Sequence, residues 1–198
     1  GKVGIDGLSP SNYNCIKNVQ KAFKEIDPLD RDITLYRNTD SVKSLMDEKT
    51  HKILKEALDS VKYNYPSAAS AEEKVEKIKK KWCNKILSDK GIISTSRSQT
   101  GYGGHSDFRM EKYTPKGTKV MFVENISQYQ HEREVLMNMG SQFHLRDIKI
   151  EKRPGGSGRE EYKVVLYVER NAADTDDHVT NILKAYDENK KNKKNKVV

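Results

Sequence analysis

The stretch Ser127-Gln128-Tyr129-Gln130-His131-Glu132-Arg133-Glu134-Val135-Leu136-Met137-Asn138-Met139-Gly140 places two carboxylates two residues apart, where a polar loop gives way to an apolar run. In a strand, that spacing sends Glu132 and Glu134 to one face and Arg133, Val135 and Met137 to the other. Two acids on one face repel, so one of them is expected to protonate more easily than its neighbour. That cost is tolerated most readily where carboxylates divide a chemical task. A bare Glu-x-Glu is most often just the solvated edge of a strand, so its meaning depends on what the rest of the chain supplies.

The chain has 198 residues, enough for one domain with a real core. Hydrophobic residues make up 34% and charged residues 33%, and no apolar run approaches the ~18–20 residues of a membrane-spanning helix. Gly1-Lys2-Val3-Gly4-Ile5-Asp6 has no signal-peptide pattern. Gly1 in place of an initiator Met suggests a processed or excised chain, so missing targeting signals say little. The two cysteines, Cys15 and Cys83, fall in expected helices and read as buried small hydrophobes, and the five histidines are scattered without metal-ligand spacing. The net charge is +8, but Lys190, Lys191, Lys193, Lys194 and Lys196 form one run, and without them the body carries only +3. Residues 189–198 are therefore expected to be a disordered tail behind a single domain over 1–188.

Residues 11–25 have a helical stripe of Tyr13, Ile16, Val19, Ala22 and Phe23, with Ser11 as cap and Pro28 as stop. Residues 32–38 read as a strand ending in Arg37, a planar donor fork suited to phosphate. Helical spacing returns over 40–64, through Ile53, Leu54, Ala57, Leu58 and Val61. It returns again, behind a Ser70–Glu73 capping box, through Val75, Ile78, Trp82 and Ile86 to about residue 88. Trp82 reads as core rather than as a ligand platform.

From Asp89-Lys90-Gly91 onward the pattern is one of strands. Residues 91–97 put Ser94-Thr95-Ser96 directly after two isoleucines. Three hydroxyls there waste core surface unless that end lines a cleft, where a serine can hold a carboxylate. The glycine-rich loop 99–107 is not a dinucleotide fingerprint, because no helix follows it. Strands follow at 108–113 and 118–123 around Pro115-Lys116-Gly117, and a hairpin joins 141–152 to 161–170. A last helix is expected over about 174–187.

In chain order, then, there is an arginine at a strand end, a Ser-Thr-Ser strand and a loop leading to Glu-x-Glu. The trio, with a helical first half and a strand-rich second, resembles the arginine–serine–glutamate class of bacterial mono-ADP-ribosyltransferase toxins over about residues 11–170. The most specific piece, Tyr129-x-x-Glu132-x-Glu134-Val135-Leu136-Met137-Asn138-x-Gly140, is similar to the loop and strand of the actin-modifying binary-toxin enzymes. Asp89-Lys90-Gly91-Ile92-Ile93-Ser94-Thr95-Ser96 and Pro115-Lys116-Gly117-Thr118 also fit that pattern.

The resemblance implies an α+β ADP-ribosyltransferase fold. Its helical part, about 11–88, packs on a strand-rich part, about 89–170, of two antiparallel-type sheets around an NAD cleft. It implies NAD as substrate, no metal, and transfer of ADP-ribose to a protein arginine with release of nicotinamide and some NAD hydrolysis. Glu134 would stabilise the oxocarbenium-like ribose and hold its 2′-hydroxyl, Ser94 would orient Glu134, and Arg37 would grip the phosphates. Glu132 would hold or deprotonate the acceptor, and Tyr129 would meet the target protein. Thr95 and Ser96 join the cofactor-binding set, with Tyr102 and Phe108 as candidate nicotinamide stackers and Arg109 as a candidate phosphate contact.

There are departures from the family pattern. Asn38 stands where many relatives carry a second arginine, and the loop after Ser-Thr-Ser lacks a Phe-x-x-Arg spacing. A monomer is expected, as a secreted toxin, the enzymatic end of a larger toxin or a domain on a phage structural protein. The target is open, with actin the family-level guess. The alternatives weighed are a transferase with a non-arginine acceptor, a retaining glycosidase, and a non-enzymatic nucleic-acid-binding module. The last lacks aromatic platforms among its basic residues.

Overall fold

The computed structural model describes residues 9–65, 68–89, 91–101, 103–171 and 188. The expected helix over 174–187 and the lysine tail lie outside them. In chain order the elements are α1 (Pro10–Glu25), β1 (Ile33–Thr39), α2 (Glu48–Lys62), α3 (Ala68–Trp82), β2 (Ile86–Ser88), β3 (Ile93–Ser96), β4 (Phe108–Thr114), β5 (Val120–Phe122), β6 (Glu134–Met137), β7 (Gln142–Pro154) and β8 (Glu160–Arg170).

The helices begin and end for local reasons. At α1 the cap is Ser9, not Ser11: the Ser9 hydroxyl accepts from the Asn12 amide at 3.1 Å, and Pro10 occupies the first turn, where its missing N–H costs nothing. Tyr13 and Phe23 turn inward, whereas Cys15 is exposed, against the expectation of burial. α2 starts at residue 48 rather than 40, because Asp47 accepts from the Thr50 amide at 2.6 Å and sets the cap there. Ser70 lies inside α3 rather than capping it. That helix stops at Trp82, and Asn84 adopts a left-handed φ of 66°. The reversal lets Ile86–Ser88 pair antiparallel with Gln142–His144 of β7, so Ile86 is a strand residue and not part of a helical stripe.

The eight strands of the described residues join in one sheet of order β2-β7-β8-β4-β1-β3-β6-β5. Every pairing is antiparallel except β4 with β8. The two sheets expected from the sequence survive as two halves of this one sheet. β1 and β3 meet through the single register pair Tyr36↔Ser96, so a five-strand half and a three-strand half share a narrow seam. α2 and α3 cover the five-strand half, α2 against β8 and α3 against β7. Leu54, Ala57, Leu58, Ala71, Val75 and Ile78 pack there on Leu35, Phe108, Met110, Leu145, Ile148, Val164 and Leu166. Fully burying each large aliphatic or aromatic side chain contributes about 1.5–3 kcal/mol. Trp82 is half-buried against this core, and its Nε1 donates to Thr50 Oγ1 at 3.0 Å.

Candidate active site

A cleft of about 270 Å³ opens at the seam between the half-sheets, near the small end of the ~300–1,000 Å³ usual for ligand sites. It is lined by Tyr36, Arg37, Asn38, Thr39 and Asp40 from β1 and its end, by Ser94, Thr95 and Ser96 of β3, and by Ser106, Glu132 and Glu134. Three segments far apart in sequence thus converge where the hydrogen-bonding between strands is thinnest. A larger groove of about 540 Å³ lies between α2–α3 and β7–β8, but its lining mixes Val61, Val75 and Ile148 with surface charges and gathers no such donor set.

Glu134 is the first residue of β6, and Val135 and Met137 turn into the core, as the alternation predicts. Glu132 does not share that strand. It ends a short 3₁₀ turn, Gln130–Glu132, and Arg133 between the two acids takes a left-handed conformation at φ 48°, ψ 49°. The carboxylates therefore reach one cleft through a backbone kink rather than through strand periodicity. A non-glycine residue in that region is uncommon and marks a backbone held by its surroundings.

Ser94 Oγ donates to Glu134 Oε1 at 2.6 Å. The pair is diagonal across the β3–β6 ladder, where Ser94 is opposite Leu136 and Ser96 opposite Glu134. Thr95 and Ser96 use their hydroxyls otherwise. The Thr95 hydroxyl donates to Val135 O at 2.6 Å, and the Ser96 hydroxyl donates to Glu132 O while accepting from the Ser98 amide at 2.8 Å. Both line the cleft, yet these bonds fix β6 and the Glu132 turn, so a cofactor role for their hydroxyls does not fit this geometry.

Arg37 points into the cleft with its Nη1 donating to Asp89 Oδ2 at 2.9 Å. Asp89 in turn accepts from the Gly91 amide at 3.3 Å, and its own amide donates to Ser141 O. In the sequence Asp89 stands out only as part of a family-like pattern. The structure makes it the partner that orients the arginine, a role visible only once β2 and β3 are placed.

Two candidates do not reach the cleft. Phe108 is 0% exposed and packs on His51 with ring centroids 5.1 Å apart, so it presents no face for stacking. Arg109 is also 0% exposed. Its Nε donates to Asn38 Oδ1 at 3.0 Å, and its Nη2 donates to Gln99 O at 2.8 Å and Pro154 O at 2.7 Å. It holds segments together and touches no open space, which corrects its assignment as a phosphate contact. Tyr102 lies outside the described residues. Tyr129 is not among the cleft-lining residues and is 58% exposed, its ring edge-on to His131, with Phe122 and Ile126 also exposed nearby in sequence. Among the described residues no group of His, Cys, Asp or Glu is clustered as a metal site would be.

A profile of the ADP-ribosyltransferase exoenzyme family matches residues 6–193. The chain belongs to that family. Among solved structures it is similar to Plx2a, an ADP-ribosyltransferase toxin from Paenibacillus larvae, at 21% identity and TM-score 0.66, covering 86% of this chain and 75% of that one. C3stau2 from S. aureus, solved with NAD, is similar at 17% identity and TM-score 0.64, covering 85% and 74%. BECa, an ADP-ribosylating toxin of a binary enterotoxin of C. perfringens solved with NADH, is similar at 20% identity and TM-score 0.61. That match covers 86% of this chain but only 38% of BECa. No curated protein sequence matches this one.

Proposed function

We propose that the protein is a mono-ADP-ribosyltransferase that cleaves the nicotinamide–ribose bond of NAD and transfers ADP-ribose to an arginine side chain of a target protein. The observation that carries the reading is the Ser94–Glu134 hydrogen bond, set at a cleft that Arg37 and Glu132 also line. Family membership supports NAD as substrate, and so do the nucleotide complexes of C3stau2 and BECa.

Each side chain then has a task that follows from its chemistry. Breaking the N-glycosidic bond leaves positive charge on the ribose. Glu134, fixed by Ser94, places a carboxylate where that charge develops and accepts a hydrogen bond from the ribose 2′-hydroxyl. Arg37 offers its planar donors to the pyrophosphate, with Asp89 keeping the guanidinium in place. Glu132, carried on a separate turn, faces the acceptor. A carboxylate pairs with a guanidinium through two parallel hydrogen bonds and can take up its proton as the new C–N bond forms. Without an acceptor, water attacks instead and NAD is hydrolysed. Tyr129 meets the target protein outside the cleft, and an arginine of actin is one candidate target. The reading is of a monomeric catalytic domain delivered to a target cell, alone or within a larger toxin.

The test is NAD turnover by the purified chain with and without agmatine, a small arginine analogue. Turnover accelerated by agmatine, with ADP-ribosyl-agmatine as product, is the expected result. Turnover indifferent to agmatine points to a different acceptor, and absence of NAD binding overturns the assignment.

A further inference from the structure

The glycine-rich loop between β3 and β4 supplies Ser106 to the cleft and presses on its floor. A Cβ added at Gly101 would lie 2.7 Å from Ser96 Cβ and Oγ and 3.4 Å from Glu132 O. On its far side, a Cβ at Gly104 would lie 2.6 Å from Gly156 Cα in the β7–β8 hairpin. The loop is wedged between the residues that carry the carboxylates and that hairpin.

Two buried cations hold it there. Arg109 donates to Gln99 O at the loop's start, and Lys163 Nζ donates to Gly104 O and Ser106 O near its end, both at 2.6 Å. Arg109 is 0% and Lys163 1% exposed. They come from the adjacent parallel strands β4 and β8, where Arg109 pairs with Val165 and so shares a face with Lys163. Each is one hydrogen bond from a cleft-lining residue, Arg109 through Asn38 and Lys163 through Ser106.

Neutral donors could satisfy the same carbonyls. Burying a charge is costly unless it is paired, and two like charges side by side raise that cost. Yet every hydrogen bond of the Arg109 guanidinium goes to a neutral oxygen, of Asn38, Gln99 or Pro154, and the carboxylate that acts on it through space, Glu111, is itself bound by Arg153 Nε at 3.0 Å. Lys163 has one carboxylate nearby, Glu161 at 3.6 Å. Positive potential is left behind the loop, in a region where water screens it poorly.

We infer that Arg109 and Lys163 are positioning residues for the anionic part of the ligand, fixing the loop's carbonyls while holding a positive potential at the cleft that favours a pyrophosphate. The inference rests on the reading of the cleft as an NAD site. It adds that part of the phosphate affinity acts from behind the wall rather than by contact.

The test compares wild type with Arg109→Met, Arg109→Lys, Lys163→Met and Glu161→Gln. KM and kcat are measured for NAD, and calorimetric affinities for ADP-ribose and for nicotinamide. Either Met variant should raise KM for NAD and weaken ADP-ribose about tenfold, with kcat within about threefold and nicotinamide affinity little changed. Arg109→Lys, which keeps the charge, should recover part of the loss. Glu161→Gln alters a partly exposed residue and removes the nearby negative charge, so it should tighten ADP-ribose about twofold. It decides the matter even if the Met variants do not fold. Losses falling on kcat alone, equal weakening of ADP-ribose and nicotinamide, or no tightening in Glu161→Gln would overturn the inference. Wild type binding neither NAD nor ADP-ribose would overturn the proposed function itself, whereas wild-type binding with unaffected variants removes this inference alone.

Discussion

Ser94 Oγ lies 2.6 Å from Glu134 Oε1, although the two residues are 40 positions apart in the chain. The bond joins neighbouring strands diagonally, so the carboxylate is aimed by the sheet rather than by a mobile loop. Glu134→Gln keeps the shape and removes the negative charge that stabilises the ribose cation. NAD turnover should fall about 10³-fold with the thermal melt unchanged. Ser94→Ala leaves the charge but frees its rotamer, and the fall should be smaller, about 10–100-fold. Assays of NAD consumption decide it, and a Glu134→Gln enzyme near the wild-type rate would sink the assignment.

Glu132 reaches the cleft on its own 3₁₀ turn, separated from Glu134 by the left-handed Arg133. Substituting it should therefore leave the NAD-cleaving half of the site intact. Glu132→Gln is expected to lose transfer to agmatine by about 10²-fold or more while keeping most NAD hydrolysis, because the neutral amide can neither pair with nor deprotonate a guanidinium. Parallel measurements of the two products check this. Equal loss of both contradicts the division of labour.

Gly101 is required by close approach rather than by its φ. Its missing Cβ leaves room for Ser96, whose hydroxyl donates to Glu132 O. Gly101→Ala should push Ser96 and the Glu132 turn apart, costing about 1–3 kcal/mol of stability. Transfer to agmatine should fall more than NAD hydrolysis. Urea unfolding with both assays tests it, and a variant with wild-type stability and transfer would show that the loop yields freely.

Lys112 carries a charge problem that pH should expose. Its Nζ is buried and has no hydrogen-bond partner among the described residues, 3.7 Å from the Phe143 ring centroid. Burial first, then the nearby Arg37 and Arg170 charges, push its pKa from 10.5 down to about 7, with Asp89 opposing. In the unfolded chain it returns to about 10.4. Between those values the unfolded state holds the extra proton, so stability rises with pH, and below about 7 the full penalty applies. Lys112→Met should therefore stabilise the fold most in acid, by about 3 kcal/mol more at pH 6 than at pH 9. Denaturant unfolding at both pH values measures it, and an equal gain at each would mean the lysine is not buried in its neutral form.

Much of this is legible in the sequence. Alternation at Val135 and Met137, the Ser-Thr-Ser strand and the hairpin around Pro154–Gly158 all rest on short-range periodicity and turn chemistry, which act within a few residues. The errors fall where a local pattern was extended past its range. Ile86 continues the spacing of α3, but Asn84 reverses the chain and β7 offers an open edge, so pairing overrides the stripe. Glu132 and Glu134 fit a strand by spacing, but Ser96 and Gly101 hold the turn that kinks the chain between them.

By itself the sequence supplied Arg37, Ser94, Glu132 and Glu134 in chain order, and all four line one cleft in the fold. Each of these residues alone also fits an ordinary surface position, and they stand out as a set only through the resemblance of their order and surroundings to a family pattern. Tertiary structure alone decided what each polar group spends its hydrogen bonds on. Asp89 takes Arg37, Thr95 and Ser96 serve the backbone, and Arg109 disappears beneath a loop and a hairpin that arrive 10 and 45 residues away. A charged side chain near a strand end looks the same in sequence whether water or a folded-over loop covers it. Only the packing of distant segments, which sets burial and hence the cost of leaving a charge unpaired, separates the two.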